Sequence, residues 1–381
     1  MGRVTAALKP ESWTTLLGGD PRLWLLASEE PAARWVTLTE LLDERVDGAA
    51  VVEAHATVLA DEGTQGLVQR LPDWQADNHV SGHASPGFAP NLLNLLADMG
   101  VGSGDDARVE RFLDALLDHQ DPNGRFTSFG TSRASTTPVW GSLLCDTHSV
   151  TEVLVRFGRG DHPAVARALQ RMTADLAPTA QGMGWPCIPH SVTGFRGPGR
   201  KGDVCPQVTL EALRTWARLP VDRQPEQAVS AARTALRAWT ARADEKPYQF
   251  GHGTQFKTVK WPTFWYDVHA LLDTIGRYPQ LWRGPDADPT ARHGIAELVA
   301  CLVAYNFDAD GTVTPRSCYQ GFATYSFGQK KRPSAFATAR LASVLRRFDD
   351  LTDDVRAVDV ARLASSKGGT GEPVLPKHRA R

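Results

Sequence analysis

Apolar positions along the chain fall into two alternating kinds of segment. In the first kind, a Gly/Pro-rich or aromatic approach leads into about four turns that are apolar over most of their circumference. Pro86-Gly87-Phe88-Ala89-Pro90-Asn91-Leu92-Leu93, Cys145-Asp146-Thr147-His148-Ser149-Val150, Cys205-Pro206-Gln207-Val208-Thr209-Leu210, Tyr266-Asp267-Val268-His269-Ala270-Leu271 and Ala337-Thr338-Ala339-Arg340-Leu341 are five copies. Aligned on Pro90, His148, Gln207, Asp267 and Thr338, they recur at steps of 58, 59, 60 and 71 residues. A weaker sixth copy runs from Trp35 to Leu42. The second kind is apolar on one face only. Val109, Phe112, Leu113, Leu116 and Leu117 follow i, i+3, i+4, i+7, i+8, and similar patterns occupy roughly 50–61, 163–176, 226–241, 290–305 and 354–364.

A helix apolar on most sides belongs inside, and a one-faced helix belongs outside. Six inner and six outer helices alternating in sequence close into a ring. The fold expected is therefore all-α, an α/α toroid, over residues 1–364 as one domain. Stretches rich in strand-forming residues are missing, which argues against a sheet core. The tail 365–381 has no apolar periodicity and is expected to be disordered. Long loops rich in Gly, Pro and aromatics at 121–140, 181–204, 245–262 and 306–333 join outer to inner helices. They should gather at one rim, the expected place of any site.

Composition narrows the partners. There are 42 basic and 43 acidic residues, a balance that gives no support for nucleic-acid binding. No apolar run approaches the ~20 residues of a membrane span, and Met1 to Asp20 lacks a signal-peptide layout. Five cysteines, an odd number in a long chain, read as free or metal-bound thiols in a reducing cytoplasm.

Gln120-Asp121-Pro122-Asn123-Gly124-Arg125-Phe126 resembles the Q-x-x-x-G-x-[FW] repeat of the squalene–hopene cyclase and protein prenyltransferase β-subunit superfamily. Gln181-Gly182-Met183-Gly184-Trp185 is a shortened echo and Phe307-Asp308-Ala309-Asp310-Gly311 a degenerate one. In such a repeat Gly ends the helix, Gln bonds exposed backbone and the aromatic plugs the seam. The chain is also similar to bacterial prenyltransferase/squalene-oxidase-repeat proteins, through Arg200-Lys201-Gly202-Asp203-Val204-Cys205-Pro206, Phe264-Trp265-Tyr266-Asp267 and Phe327-Gly328-Gln329-Lys330-Lys331. The resemblance implies the toroid and does not supply a reaction.

The D-x-D-D acid of class II cyclases is absent. Asp286-Ala287-Asp288-Pro289 and Asp308-Ala309-Asp310-Gly311 lack the fourth Asp, and Asp349-Asp350-Leu351-Thr352-Asp353 reads as a solvated loop with a helix cap. Protein prenyltransferases hold zinc with a D-x-C and a His at successive inner-helix entrances. The resemblance thus implies Asp203 and Cys205 as zinc ligands with His269, one to two residues off register. Cys187 and His190 supply further thiolate and imidazole from the same loop. Buried packing is the alternative for both cysteines.

Arg196, Arg200 and Lys201, Lys257 and Lys260, and Lys330, Lys331 and Arg332 bring cations to three rim loops, among the aromatics Trp261, Phe264, Trp265 and Tyr266. A basic mouth over an aromatic cavity suits an isoprenoid diphosphate. Asp203, Asp267 and His148 are the candidate catalytic groups, with His79 and His83 as further candidates. Two other functions stay open. A carbohydrate-active toroid would use paired carboxylates drawn from Asp146, Asp203 and Asp267, and a non-catalytic scaffold would simply present the rim.

Overall fold

Helix boundaries are set by caps that the sequence supplies. The computed structural model describes residues 8–72, 74, 83–132, 135–196, 202–245, 250–285 and 287–363. Twelve of the helices among these residues form six pairs: α1 (Pro31–Val36), α2 (Ala49–Ala60), α3 (Ala89–Met99), α4 (Ala107–Leu117), α5 (Leu144–Arg156), α6 (Pro163–Asp175), α7 (Pro206–Trp216), α8 (Ala228–Thr240), α9 (Val268–Ile275), α10 (Pro289–Asn306), α11 (Ala335–Arg346) and α12 (Thr352–Arg356). Pro opens α1, α6, α7 and α10, where its missing N–H has no intrahelical partner to lose. Asp106, Asp267, Asp288 and Ser334 each accept a backbone N–H of the first turn of their helix.

The odd-numbered helices are the inner ring. Each packs on the next, α1, α3, α5, α7, α9 and α11 in order, and α11 returns against α1. Ion pairs bridge that seam: Arg340 to Glu40 at 3.0 Å and Arg346 to Asp43 and Glu11 at 2.5 and 2.9 Å. Burial on nearly all sides forces the inner helices to absorb their own hydroxyls. Ser149, Thr151, Thr209, Thr215, Thr274 and Thr338 all donate to the carbonyl four residues back. The outer helices show the one-faced pattern. In α4, Val109, Phe112, Leu113 and Leu116 are buried while Arg111 and Asp114 are exposed.

The repeat seams do what the glutamine motif implies. Gln120 donates to the carbonyls of Gly124 and Ala164, and its amide oxygen accepts from Arg167. Gly124 has φ +86°, and a Cβ there would stand 3.0 Å from the Arg167 carbonyl oxygen. Phe126 fills the seam, fully buried. The shortened echo uses Gln181 to accept from Val204 N–H and Trp185 as the plug.

Three local features depart from the periodicity. The first inner helix runs on as a π-helical turn, Thr37–Leu41. The last outer helix stops at Arg356, because Asp359 caps a separate turn, Val360–Arg362, by accepting from Ala361 N–H. The rim loops carry short strands: Ser128–Ser132 pairs antiparallel with Ser135–Gly141, Ala177–Thr179 with Gly182–Gly184, and Lys260–Trp261 runs parallel to Ser317–Cys318. The pairing of Lys260–Trp261 with Ser317–Cys318 and the closeness of His190 to Gly141 join neighbouring loops of one rim. Among the described residues, no helix is long and apolar enough to cross a membrane. The tail 365–381 lies outside the described residues.

Candidate functional site

The ring encloses a central cavity of about 60 Å³. Its wall is charged. Asp98 of α3, Glu152 of α5, Glu211 of α7 and Asp273 of α9 face it, together with Arg156, Arg214, Arg218, Arg277 and Arg340. Ser149, Asn91, Asn94 and Gln207 add neutral polar groups, and Phe264 and Trp265 line it as well. Arg156, Arg218 and Arg277 also line a wider funnel of about 680 Å³, so the two spaces share a cationic boundary. All three lie at or just past the C-terminal ends of inner helices, where the helix dipole favours a cation.

Most of these charges neutralise one another. Arg214 grips Glu152 with two bonds of 2.6 and 2.8 Å. Asp98 takes Arg156 at 2.6 Å and Arg340 at 3.0 Å. Asp273 takes Arg347 at 2.8 Å and Arg277 at 3.1 Å. Burial opposes the charge on Asp273, yet the surrounding guanidiniums outweigh it and hold the carboxyl well below its ordinary range.

Two groups stand apart. Among the described residues, no arginine is bonded to Glu211. One carboxyl oxygen accepts from the Gln207 amide at 2.9 Å and the other is buried without a partner. Burial raises its pKa to about 7. Arg218 is loosely held, donating to the Arg214 carbonyl and reaching Glu152 only at 3.7 Å. Burial, with Arg277 and Arg156 nearby, lowers its pKa to about 9. The sequence carries a signal for these groups that the apolar pattern masks. A charged residue recurs in the last turns of inner segments, at Asp98, Arg156, Arg218, Arg277 and Arg347, with spacings close to the repeat step.

A second space of about 870 Å³ opens on the rim, lined by Phe250, Lys260, Trp265, Tyr266, Asp267 and Tyr319 among others. Trp265 borders both spaces. Lys260 lies 3.9 Å from the Tyr319 ring centre. Asp267 caps α9, and burial pushes its pKa up to about 7.

The structure separates the residues singled out from the sequence. His148 is fully buried, with Nδ1 3.2 Å from the Val208 carbonyl and its ring edge-on to Trp185, which places it in the wall rather than the cavity. Trp261 is buried too, and Tyr266 Oη meets His252 at 3.0 Å. Lys257 is 3% exposed and sits against the rings of Trp239 and Tyr305, drawn into the wall by the short helix Thr254–Lys257. Lys330, Lys331 and Arg332 are exposed and line neither space, and Arg200 and Lys201 lie outside the described residues. The cations that converge are the deep arginines instead.

His269 lines the central cavity with both ring nitrogens buried and unpartnered. Asp203 is half-buried at the rim, and Cys205 precedes α7 with its thiol pushed up by burial. Cys187 is half-buried. His190 turns inward against Gly141, where a Cβ would come within 2.3 Å of its ring, and Nδ1 takes the Thr193 N–H. Asp203, Cys205, Cys187, His190 and His269 do not assemble as one ligand set. Among the described residues, the group of three metal-binding side chains that does come together is His83, Cys145 and Asp146. His79 lies outside the described residues.

The aspartate-rich stretches serve as caps and ion-pair partners. Asp349 accepts from Trp13 N–H, Asp350 binds Arg283 at 2.9 Å, and Asp310 accepts from Thr312. Asp288 caps α10, and Asp286 lies outside the described residues.

No family model matches the chain, and no curated protein is significantly similar to it. Among solved structures it is similar to a GH76 alpha-mannanase of Bacteroides thetaiotaomicron, at 10% identity and a TM-score of 0.40, over 87% of this chain and 98% of that one. The toroid rests on the helix order and packing described above.

Proposed function

We propose that the chain is an acid–base enzyme acting on a carbohydrate-type ligand, polar, rich in hydroxyls and tolerant of anionic groups, with Glu211 as the proton-transferring residue. One observation carries this reading: the central cavity is walled by four carboxylates and five guanidiniums. An isoprenoid tail placed there would strip water from those groups and return no hydrogen bonds, at a cost of several kcal/mol. Hydroxyl groups replace the lost water bonds one for one. Trp265, half-buried at the border of the cavity, offers an aromatic surface for the apolar side of a sugar ring.

The carboxyls divide by environment. Asp98 and Asp273 are kept ionised by arginine, while Glu211 is half-protonated near neutrality. An acid poised near the working pH is what protonation of a leaving oxygen requires. Arg218 supplies a weakly committed cation for a carboxylate or phosphate on the ligand.

The rim groove favours a second reading. Lys260 with Phe250, Trp265, Tyr266 and Tyr319 offers a cation among aromatic faces, which suits an isoprenoid with an anionic head. A turnover screen separates the two. Neutral and acidic oligosaccharides are incubated with the full chain and new reducing ends are measured. The expected result is release from an acidic oligosaccharide, reduced at least 100-fold by Glu211→Gln with binding retained. No release from any glycan, or release untouched by Glu211→Gln, would defeat the assignment.

A further inference from the structure

We propose that His83, Cys145 and Asp146 form a divalent-metal site, suited to zinc, beside the mouth of the central cavity. Their donor atoms all lie within 4.8 Å of one another, with His83 Nε2 3.1 Å from Asp146 Oδ1. A tetrahedral metal with bonds of ~2.0–2.3 Å separates its donors by roughly 3.3–3.8 Å, so the group needs only a small contraction to close. Imidazole, thiolate and carboxylate are together the donor set of zinc rather than of magnesium or calcium, which prefer oxygen alone.

The local structure leaves these atoms aimed at each other. Cys145 and Asp146 occupy the first turn of α5. Asp146 Oδ2 is already satisfied by Ser128 Oγ and Leu143 N–H, both at 2.9 Å, which turns Oδ1 toward His83. His83 Nε2 is buried and makes no well-aligned hydrogen bond despite its closeness to Oδ1. The Asn91 amide holds the His83 carbonyl at 2.7 Å, and the Phe88 ring lies 4.4 Å from the imidazole. These supports fix ligand orientation from outside, as metal sites require. Asn91 and Ser149, one turn beyond Cys145, both line the central cavity, so the group sits just outside its wall. Three protein ligands leave a fourth position for water or a ligand oxygen.

The site stands independently of the carbohydrate reading, because metal content is read without turnover. The full chain is equilibrated with zinc, freed of excess by gel filtration, and analysed for metal. The expected content is about one zinc per chain, falling at least tenfold in His83→Ala and in Cys145→Ser and unchanged in Cys318→Ser. Zinc well below one equivalent in the unaltered chain would overturn the site. So would zinc that survives His83→Ala and Cys145→Ser but is lost in Cys205→Ser, which would move the metal to the Asp203 and Cys205 pair. Cobalt(II) on the unaltered chain gives a check that needs no variant. A thiolate-to-cobalt charge-transfer band is expected, and its absence would equally overturn the assignment.

Discussion

Glu211 is the residue whose chemistry is least like its ordinary state. Buried among charges and, among the described residues, bonded through its carboxyl to Gln207 alone, it keeps its proton to about pH 7 in the folded chain. The unfolded chain gives up that proton near the ordinary glutamate value of 4.5. Between those two pH values the folded state binds more protons than the unfolded one. Stability from this group therefore falls as pH rises through the window, by on the order of 3 kcal/mol in all. Glu211→Gln removes the penalty. Chemical denaturation from pH 5 to 8, in the presence of a chelator, should show the variant gaining on the unaltered chain as pH rises. A constant difference across that range would mean an ordinary carboxyl. Glu211 was hard to find in the sequence for a physical reason. A charge inside an apolar helix reads as its solvent face, and only closure of the ring turns that face toward a cavity. Cys145, Asp146 and His83 were legible as ligand-type residues, but not as a group, because some 60 residues separate His83 from the others.

At the scale of elements, the alternation of fully and partly apolar segments placed the inner helices within a few residues of where they start. Capping chemistry sharpened the ends, as at Pro163, Pro206 and Pro289. The strand pairs of the rim loops were missed, because Ser128–Ser132 and Ser135–Gly141 draw their pairing from each other and not from an alternating apolar face. The glutamine motif at the seams was legible down to its hydrogen bonds. Its energetic role gives a direct prediction. Gly124→Ala forces a side chain into φ +86° against the Arg167 carbonyl. The strain should cost about 1–2 kcal/mol. A urea midpoint shifted down without a change in slope would register it, and an unshifted midpoint would mean that the seam relaxes freely.

For the whole molecule, ring closure turns the faces of five inner helices, α3, α5, α7, α9 and α11, toward one polar chamber. Each of these helices contributes charge that would be unremarkable on a surface, and the ring brings it to one space. Of the cations expected at the rim, Lys260 lines the rim groove, Lys257 is drawn into the wall, Lys330 and Lys331 are exposed away from the groove, and Arg200 and Lys201 lie outside the described residues, while Arg156, Arg218 and Arg277 gather at the central cavity. The rim lysines are exposed or absorbed into the wall, where water or aromatic faces satisfy them. A cavity of this kind discriminates ligands by the number of hydrogen bonds they return. Unpaired buried polar groups cost about 1–3 kcal/mol each, so a few unmatched contacts exclude a ligand. The most direct test of that claim is equilibrium binding of acidic oligosaccharides in competition with farnesyl and geranylgeranyl diphosphate, on the unaltered chain and on Arg218→Gln. The expected result is saturable oligosaccharide binding that the diphosphates do not displace and that Arg218→Gln weakens about tenfold. Displacement by the diphosphates, with Arg218→Gln without effect, would contradict it.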